Sequence, residues 1–375
     1  MESAPVLQGQ PIERRVREVG INPNYWYPAL WGHQLKPGQI VPVTVWQTTV
    51  ALYRDQTGQP HALENACPHK GVELHKGEVH DQNLVCPYHG WAFNGEGRCV
   101  SIPYFPPEQK LPCAKARSYA VQEKYGLIWL FPGAANLAHQ QPLPEVAEYG
   151  NPDWFMVRIP GRFQSHFSIC NENAMDVFHG FLHKQLQGWF DPILLNLKQT
   201  DSSVQADYQV SYQGVLTKVL GLAQKGDPNG GVSTRTVSIN YQYPHYHSTL
   251  EGVSSLYLMR QPVGPALTQS FSMLFLKLPL PSWLLQGYIG NLLEKLVLHQ
   301  VFFKFLHQDV DMMESEQRNY LANPDRDYVE VNPAIIALQR VTVRQYETFV
   351  QQSAQVLHSQ TQGRRTLSEI GLNPR

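Results

Sequence analysis

The chain has 375 residues, 42% of them hydrophobic, and 30 basic against 31 acidic side chains, for a net charge of −1. That length sets an expectation of two to three domains with ample material for buried cores, and the balanced charge excludes polyanion binding, nucleic acid included. Five cysteines without a paired framework, and no apolar run after Met1-Glu2-Ser3-Ala4, point to a reducing, cytoplasmic setting without a cleaved secretory signal.

In chain order, Met1 to Val19 reads as a polar arm within an amino-terminal segment, 1–21. Residues 22–133 carry alternating apolar runs, such as Ile40 to Tyr53 and Tyr119 to Leu130, punctuated by turn signals at Asp55-Gln56-Thr57-Gly58 and Asn94-Gly95, which predicts an all-β domain. Ala134 to Pro144 is a Pro/Ala/Gln connector. Beyond it, strand-like runs (Trp154 to Ile159, Val204 to Tyr212, Thr234 to Tyr243, Ser254 to Gln261, Ser270 to Leu276) alternate with helical segments at 171–187 and 291–321. The prediction for 134–350 is a mixed, mostly antiparallel sheet with helices across it, followed by a tail, 351–375, so the fold class is α+β.

The first domain contains Cys67-Pro68-His69 and, after 16 intervening residues, Cys86-Pro87-Tyr88-His89-Gly90-Trp91. Two loops that each pair a thiol with an imidazole can grip one metallocluster, and this pattern points to a Rieske two-iron, two-sulfur centre held by Cys67, His69, Cys86 and His89. Two imidazoles on one iron raise the reduction potential to about −150 to +300 mV, above that of an all-thiolate ferredoxin. Zinc is the competing occupant, since two Cys and two His also satisfy a tetrahedral site. Its usual spacing keeps the cysteines together and the histidines together, whereas here each pair is mixed. Pro68 and Pro87 stiffen the loops, while Gly71 and Gly90 permit positive φ and close backbone approach.

A second constellation lies in Asn171-Glu172-Asn173-Ala174-Met175-Asp176-Val177-Phe178-His179-Gly180-Phe181-Leu182-His183. Read as a helix at about 100° per residue, it places Glu172, Asp176, His179 and His183 within roughly 60° of one another. Two imidazoles one turn apart can chelate a metal, and non-haem Fe(II) oxygenases use two His and one carboxylate with open positions. The carboxylate is left among Asp176, Glu172 or a distant segment.

Together these motifs resemble the terminal oxygenase (alpha) subunits of the Rieske non-haem iron oxygenases, and the resemblance covers most of the chain. Tyr125-Gly126-Leu127-Ile128-Trp129-Leu130-Phe131-Pro132-Gly133 looks like that family's closing strand of the cluster domain, and the order of elements beyond it is similar to the family's helix-grip-like catalytic domain. The resemblance implies a mononuclear Fe(II) held by His179, His183 and a downstream Asp, best matched by Asp309 in Gln308-Asp309-Val310-Asp311, with Asp311 the runner-up. It implies that Asp176 bridges a cluster histidine of one subunit and an iron histidine of its neighbour in a head-to-tail homotrimer. Only Gly180, Phe181 and Leu182 separate the two iron histidines, one residue fewer than is usual in the family. A separate NAD(P)H-dependent reductase or ferredoxin supplies electrons, since the chain has no G-x-G-x-x-G followed by an acidic residue. The implied activity is O2-dependent hydroxylation, demethylation or cleavage of a lipophilic, cyclic substrate. The alternative is a Rieske electron carrier without a second iron, whose later domain only binds a partner.

Other residues have plainer readings. His75, His80, His245, His247 and His307 read as surface or hydrogen-bonded histidines, His307 being near Asp309, and Cys99, Cys113 and Cys170 as small hydrophobes. Pro281 to Leu306 is apolar but too short and broken to span a bilayer, which leaves a buried helix walling the active site or a peripheral membrane face. The latter is shared with relatives resembling pheophorbide or chlorophyllide oxygenases, although the carboxy-terminal C-x-x-C of the pheophorbide type is missing.

Overall fold

A computed structural model gives the architecture, and it describes residues 9–106, 108–183, 189–212, 233–278, 287–298, 303–323 and 325–369, with Pro281 and Leu285. The first domain is built on β1 (Tyr27–Trp31), β2 (Ile40–Val45), β3 (Thr48–Arg54), β4 (Pro60–Glu64), β9 (Ser118–Lys124) and β10 (Leu127–Phe131), ordered β1-β10-β9-β4-β3-β2. A smaller sheet of β5 (Glu78–His80), β6 (Asn83–Val85), β7 (Ala92–Phe93) and β8 (Cys99–Ser101) carries the Cys/His loops. Tyr125 and Gly126 both take positive φ, 59° and 71°, the requirement of a two-residue hairpin turn, and they join β9 to β10.

The second domain is a seven-stranded sheet, ordered β11-β17-β16-β15-β14-β13-β12, from β11 (Phe155–Phe163), β12 (Trp189–Gln199), β13 (Ser203–Tyr212), β14 (Ser233–Gln242), β15 (His245–Leu250), β16 (Ser254–Gly264) and β17 (Leu267–Leu276). Every strand pair among the described residues is antiparallel, so the expected mixture is absent there. Five helices are described: α1 (Ile12–Glu18), α2 (Phe167–Met175), α3 (Gly287–Val297), α4 (Phe303–Ala322) and α5 (Pro333–Glu369). The predicted helix 291–321 is thus two helices, and α5 runs through much of the segment read as a tail.

The two faces of the large sheet do different work. One packs Tyr257, Met259, Phe271, Met273 and Phe275 against Trp31, Trp129 and Phe131 of the first domain, an aromatic seam that fixes the domains against each other. The other buries Val204, Ala206, Tyr208, Tyr241 and Tyr246 beneath α2 and α5, which pins α2 over the sheet. The β2–β3 turn strengthens the seam, since Trp46 and Gln47, both at positive φ, donate backbone hydrogen bonds to Pro262 and Val263.

The amino-terminal arm is not simply polar. Val16 and Val19 are buried against Val343 of α5, and Arg17 grips Glu172 through both guanidinium Nη atoms at 2.6 and 2.7 Å while also reaching Glu316 at 2.7 Å. Glu172 is therefore committed to α1 and is not the third metal carboxylate.

Two buried histidines set an acid limit on the fold. Burial pushes His245, whose Nε2 meets the Trp26 carbonyl, down to about 4, and His166, beside the Val19 carbonyl, down to about 3. Both are neutral in the folded state where the unfolded chain begins to bind protons near pH 6.5, so each removes stability as pH falls from there towards its folded value. Between pH 6.5 and 5, His245→Gln is expected to lose about 2 kcal/mol less unfolding free energy than the parent chain, read from urea midpoints. Equal losses in both chains would show that His245 protonates freely in the folded state.

Candidate metal centres

Two short loops of matching backbone geometry present the first donor set. Cys67 N donates to Val72 O and Gly71 N to Cys67 O; in the second loop Cys86 N donates to Trp91 O and Gly90 N to Cys86 O, at 2.7–3.1 Å. Gly71 and Gly90 have φ of 70° and 68°, so each chain turns back four residues after its cysteine. A Cβ on Gly90 would also lie 2.7 Å from Pro103, which makes glycine necessary there.

Both thiols are buried, and burial pushes Cys67 up to about 11, with neighbouring Cys86 adding to the effect. Such a pair is costly as free thiolates and suited to a bound cation. The His69 and His89 rings lie 4.7 Å apart, and His89 Nδ1 is buried with no hydrogen-bond partner among the described residues. Two thiols, two imidazoles and an orphaned ring nitrogen fit a Rieske cluster. Trp91 stacks on His69 at 4.6 Å and 5°, and its Nε1 donates to Tyr104, so that ring is held from behind.

The second donor set is assembled differently from the expectation. Helix α2 stops at Met175, Asp176 takes an extended conformation, and Phe178–Phe181 form a separate 3₁₀ turn, so no continuous helix carries Glu172, Asp176, His179 and His183. The Asp176 carboxylate accepts the Phe178 N–H at 2.8 Å, a local bond that competes with helix continuation. Residues 184–187 of the predicted helix lie outside the described residues. The turn nevertheless brings His179 and His183 to α4, where ligand atoms of His179, His183 and Asp309 lie within 4.8 Å of one another.

Each of these groups is oriented by another. His183 is fully buried; its Nε2 lies 3.1 Å from Asp309 Oδ1 and its Nδ1 2.9 Å from Gln308 Oε1. Gln308 Oε1 can only accept, so it places the proton on Nδ1 and leaves the Nε2 lone pair for a metal. His179 presents Nε2 to Asp309 at 3.8 Å and Nδ1 to Asp176 at 3.9 Å. Burial holds His179 below its usual value, against the pull of Asp309 and Asp176, in the neutral form a metal requires. Asn173 donates to Asp309 Oδ1 at 3.3 Å. Two imidazoles and one carboxylate fit a non-haem ferrous ion.

The motif spacing points to His179, His183 and Asp309 but carries no sign of Gln308 or Asn173 as their supports, beyond an amide beside a carboxylate. Asp311 and His307 are exposed and stand outside the cluster.

A β domain with Rieske-type loops, joined to a sheet domain with a His-His-Asp set, defines a terminal oxygenase. Residues 25–119 match the family model described as the Rieske [2Fe-2S] domain. The chain is 33% identical over 347 residues to the 4beta-methylsterol monooxygenase of Methylococcus capsulatus (strain ATCC 33009 / NCIMB 11132 / Bath), covering 91% of this chain and 93% of that protein. It is 30% identical over 226 residues to the chloroplastic chlorophyllide a oxygenase of Chlamydomonas reinhardtii, covering 56% of this chain and 33% of that protein. The crystal structure of dicamba monooxygenase bound to 3,6 dichlorosalicylic acid superposes with a TM-score of 0.70 at 22% identity, over 89% of this chain and 99% of that one, and shares the fold.

The chain belongs to the Rieske non-haem iron oxygenases, as a terminal oxygenase near the chlorophyllide oxygenase branch. Its cofactors are a Rieske 2Fe-2S cluster and a mononuclear iron, and it works with a reductase or ferredoxin on a small-molecule substrate. Among the described residues no helix is long and apolar enough to cross a membrane.

Proposed function

We propose that the chain oxidises a lipophilic polycyclic substrate of the sterol type, with the cluster on Cys67, His69, Cys86 and His89 and the iron on His179, His183 and Asp309. The observation that carries the site assignment is the convergence of three ligand atoms whose outer partners, Gln308, Asn173 and Asp176, are already in place. When bound, the cluster supplies single electrons and the iron supplies O2 activation. The protein's own part is to hold His183 in one tautomer, keep His179 neutral and exclude water from Asp309 by burial.

The sterol reading rests on the methylsterol monooxygenase, a relative matched over 91% of this chain and 93% of its own length. Oxygen uptake by the chain with its reductant should rise with 4-methylsterols; uptake answering only to tetrapyrroles would move the substrate class to that of the shorter match. The proposed domain boundaries are 22–133 and 134–350, flanked by 1–21 and 351–375.

Asp176 is proposed as the electronic bridge to a neighbouring subunit's cluster in a homotrimer. It lines a pocket of about 300 Å³ with Glu172, Glu316 and Glu330, half-buried and open to an approaching surface. Asp176→Asn is expected to keep three irons per chain while cluster reoxidation slows at least ~100-fold in stopped flow, comparable to the loss of a key outer partner of a metal ligand. Unchanged reoxidation would reject the bridge.

Peripheral membrane contact is proposed for α3. Its inner side, Leu293 and Val297, packs on Phe155, Val157 and Ile159, while Ile289, Leu292 and Leu296 are exposed, so the expected buried wall is apolar on both sides. The chain should float with anionic phospholipid vesicles; recovery wholly in the unbound fraction leaves it cytoplasmic without lipid contact.

A further inference from the structure

Residues paired across an antiparallel ladder share a face of the sheet. On the inner face, Leu256, Leu258 and Arg260 of β16 therefore stand beside Leu274, Ser272 and Ser270 of β17, and these beside Val157, Ile159 and Gly161 of β11. The row is apolar at one end and polar at the other. Arg260 is 5% exposed, yet among the described residues no carboxylate lies within salt-bridge distance of it. Its Nη2 donates to the Cys170 carbonyl at 3.2 Å, its Cζ lies 5.1 Å from the Phe163 ring centre, and its Nε is buried with no partner. A guanidinium has five N–H donors, and among the described residues the bond to Cys170 is the one hydrogen bond it makes.

Cys170 and Phe163 pack with Met313 and Val310, which flank Asp309 on α4, and Asn173, three residues past Cys170, donates to Asp309. Among the described residues Asp309 pairs with His179 and His183 and makes no ion pair with Arg260. With Asp309 committed to a divalent ion, one carboxylate against two positive charges leaves the surroundings of Arg260 without a free anion. A buried cation without an anion is costly, so the site is built for a group of opposite charge. Ser270 and Ser272, both buried and 2.9 Å apart through their hydroxyls, extend the polar end, while Leu256 and Leu258 are only partly buried beside it.

We propose that Arg260 is the polar anchor of the substrate site and pairs with a carboxylate carried by the bound organic molecule, whose apolar body lies along Leu258 and Leu256. This rests on the polycyclic reading above for the body of the ligand, but not for its charged group. Arg260 is a binding and positioning residue here, and no bond is made or broken on it.

Equilibrium binding of lithocholic acid and of its methyl ester to the holoprotein and to R260M, followed by tryptophan fluorescence, tests it. A charge-assisted bidentate pair predicts about tenfold or greater preference for the acid in the parent chain, loss of that preference in R260M, and unchanged binding of the ester. The Tm of R260M should hold or rise, because an unpaired buried charge has gone. Equal binding of acid and ester by the parent chain, a preference that survives in R260M, or a fall in Tm without a change in preference would each overturn the anchor. If neither steroid binds, the polycyclic reading fails separately. Benzoate against benzyl alcohol then tests Arg260 alone: stabilisation by benzoate that R260M abolishes upholds it, and equal responses overturn it.

Discussion

Asp309→Asn is expected to hold two irons per chain where the parent holds three, and to lose substrate-dependent oxygen uptake by about 10³-fold or more, equivalent to ~4 kcal/mol of barrier. The physical cause is loss of the only anion in the donor set. A carboxamide oxygen carries no formal charge and an imidazole ligates a metal only through an uncharged nitrogen, so the divalent ion would sit in a buried site without compensation. The cluster loops belong to the smaller sheet of the first domain, so the visible spectrum should survive. Gln308→Ala serves as a graded comparison: it frees the His183 ring without removing a ligand, and iron affinity should fall about 10–100-fold with activity recoverable in excess ferrous ion. An Asp309→Asn protein that keeps three irons and full uptake would move the ligand assignment to another carboxylate.

Much of this site could be read before any fold was known, because its chemistry depends on residue type and spacing. Cys67 to His89 is such a case: the loops need glycine four residues after each cysteine, and Gly71 and Gly90 stand at those positions. The order of strands from Tyr119 to Leu276 was equally legible where apolar residues alternate. The helix through His179 was not. Its periodicity was sound, but Asp176 closes a local bond to Phe178 N–H, and a single such bond ends α2 while its Glu172 turns to Arg17.

Strand β12 was missed for a related reason. Asp191 at positive φ and Pro192 interrupt its pattern, and the register shifts between Phe190 and Ile193, as an edge strand tolerates. Strand β15, His245-Tyr246-His247-Ser248-Thr249-Leu250, is short and polar because His245 bonds the Trp26 carbonyl and His247 bonds Ser255, tertiary partners that no local pattern announces. The arm looked polar because its charge is counted residue by residue, whereas Arg17 is neutralised only in the folded chain by Glu172 and Glu316.

Cys86→Ser should produce the complementary loss: one iron per chain, no cluster absorption, and a lower unfolding temperature. A serine hydroxyl does not ionise near neutral pH and is a poor ligand for ferric ion in a sulfide cluster, whereas a thiol loses its proton readily to a bound cation. Because both loops present their thiols and imidazoles to one cluster, metal binding adds to the Trp91–His69 stack in keeping them apposed, and its loss should appear as instability of the tip. The larger domain has its own core between the sheet, α2 and α5, and its own triad, so its single iron should persist. Cys170→Ser is the control: that thiol is equally buried but contacts Ser165, so all three irons should remain while stability falls. The counts are what discriminate. Three irons in the parent, two in Asp309→Asn, one in Cys86→Ser and none in the double variant require two independent sites. A parent count of two that Asp309→Asn leaves unaltered would instead define an electron carrier, with His179, His183 and Asp309 held together by hydrogen bonding alone.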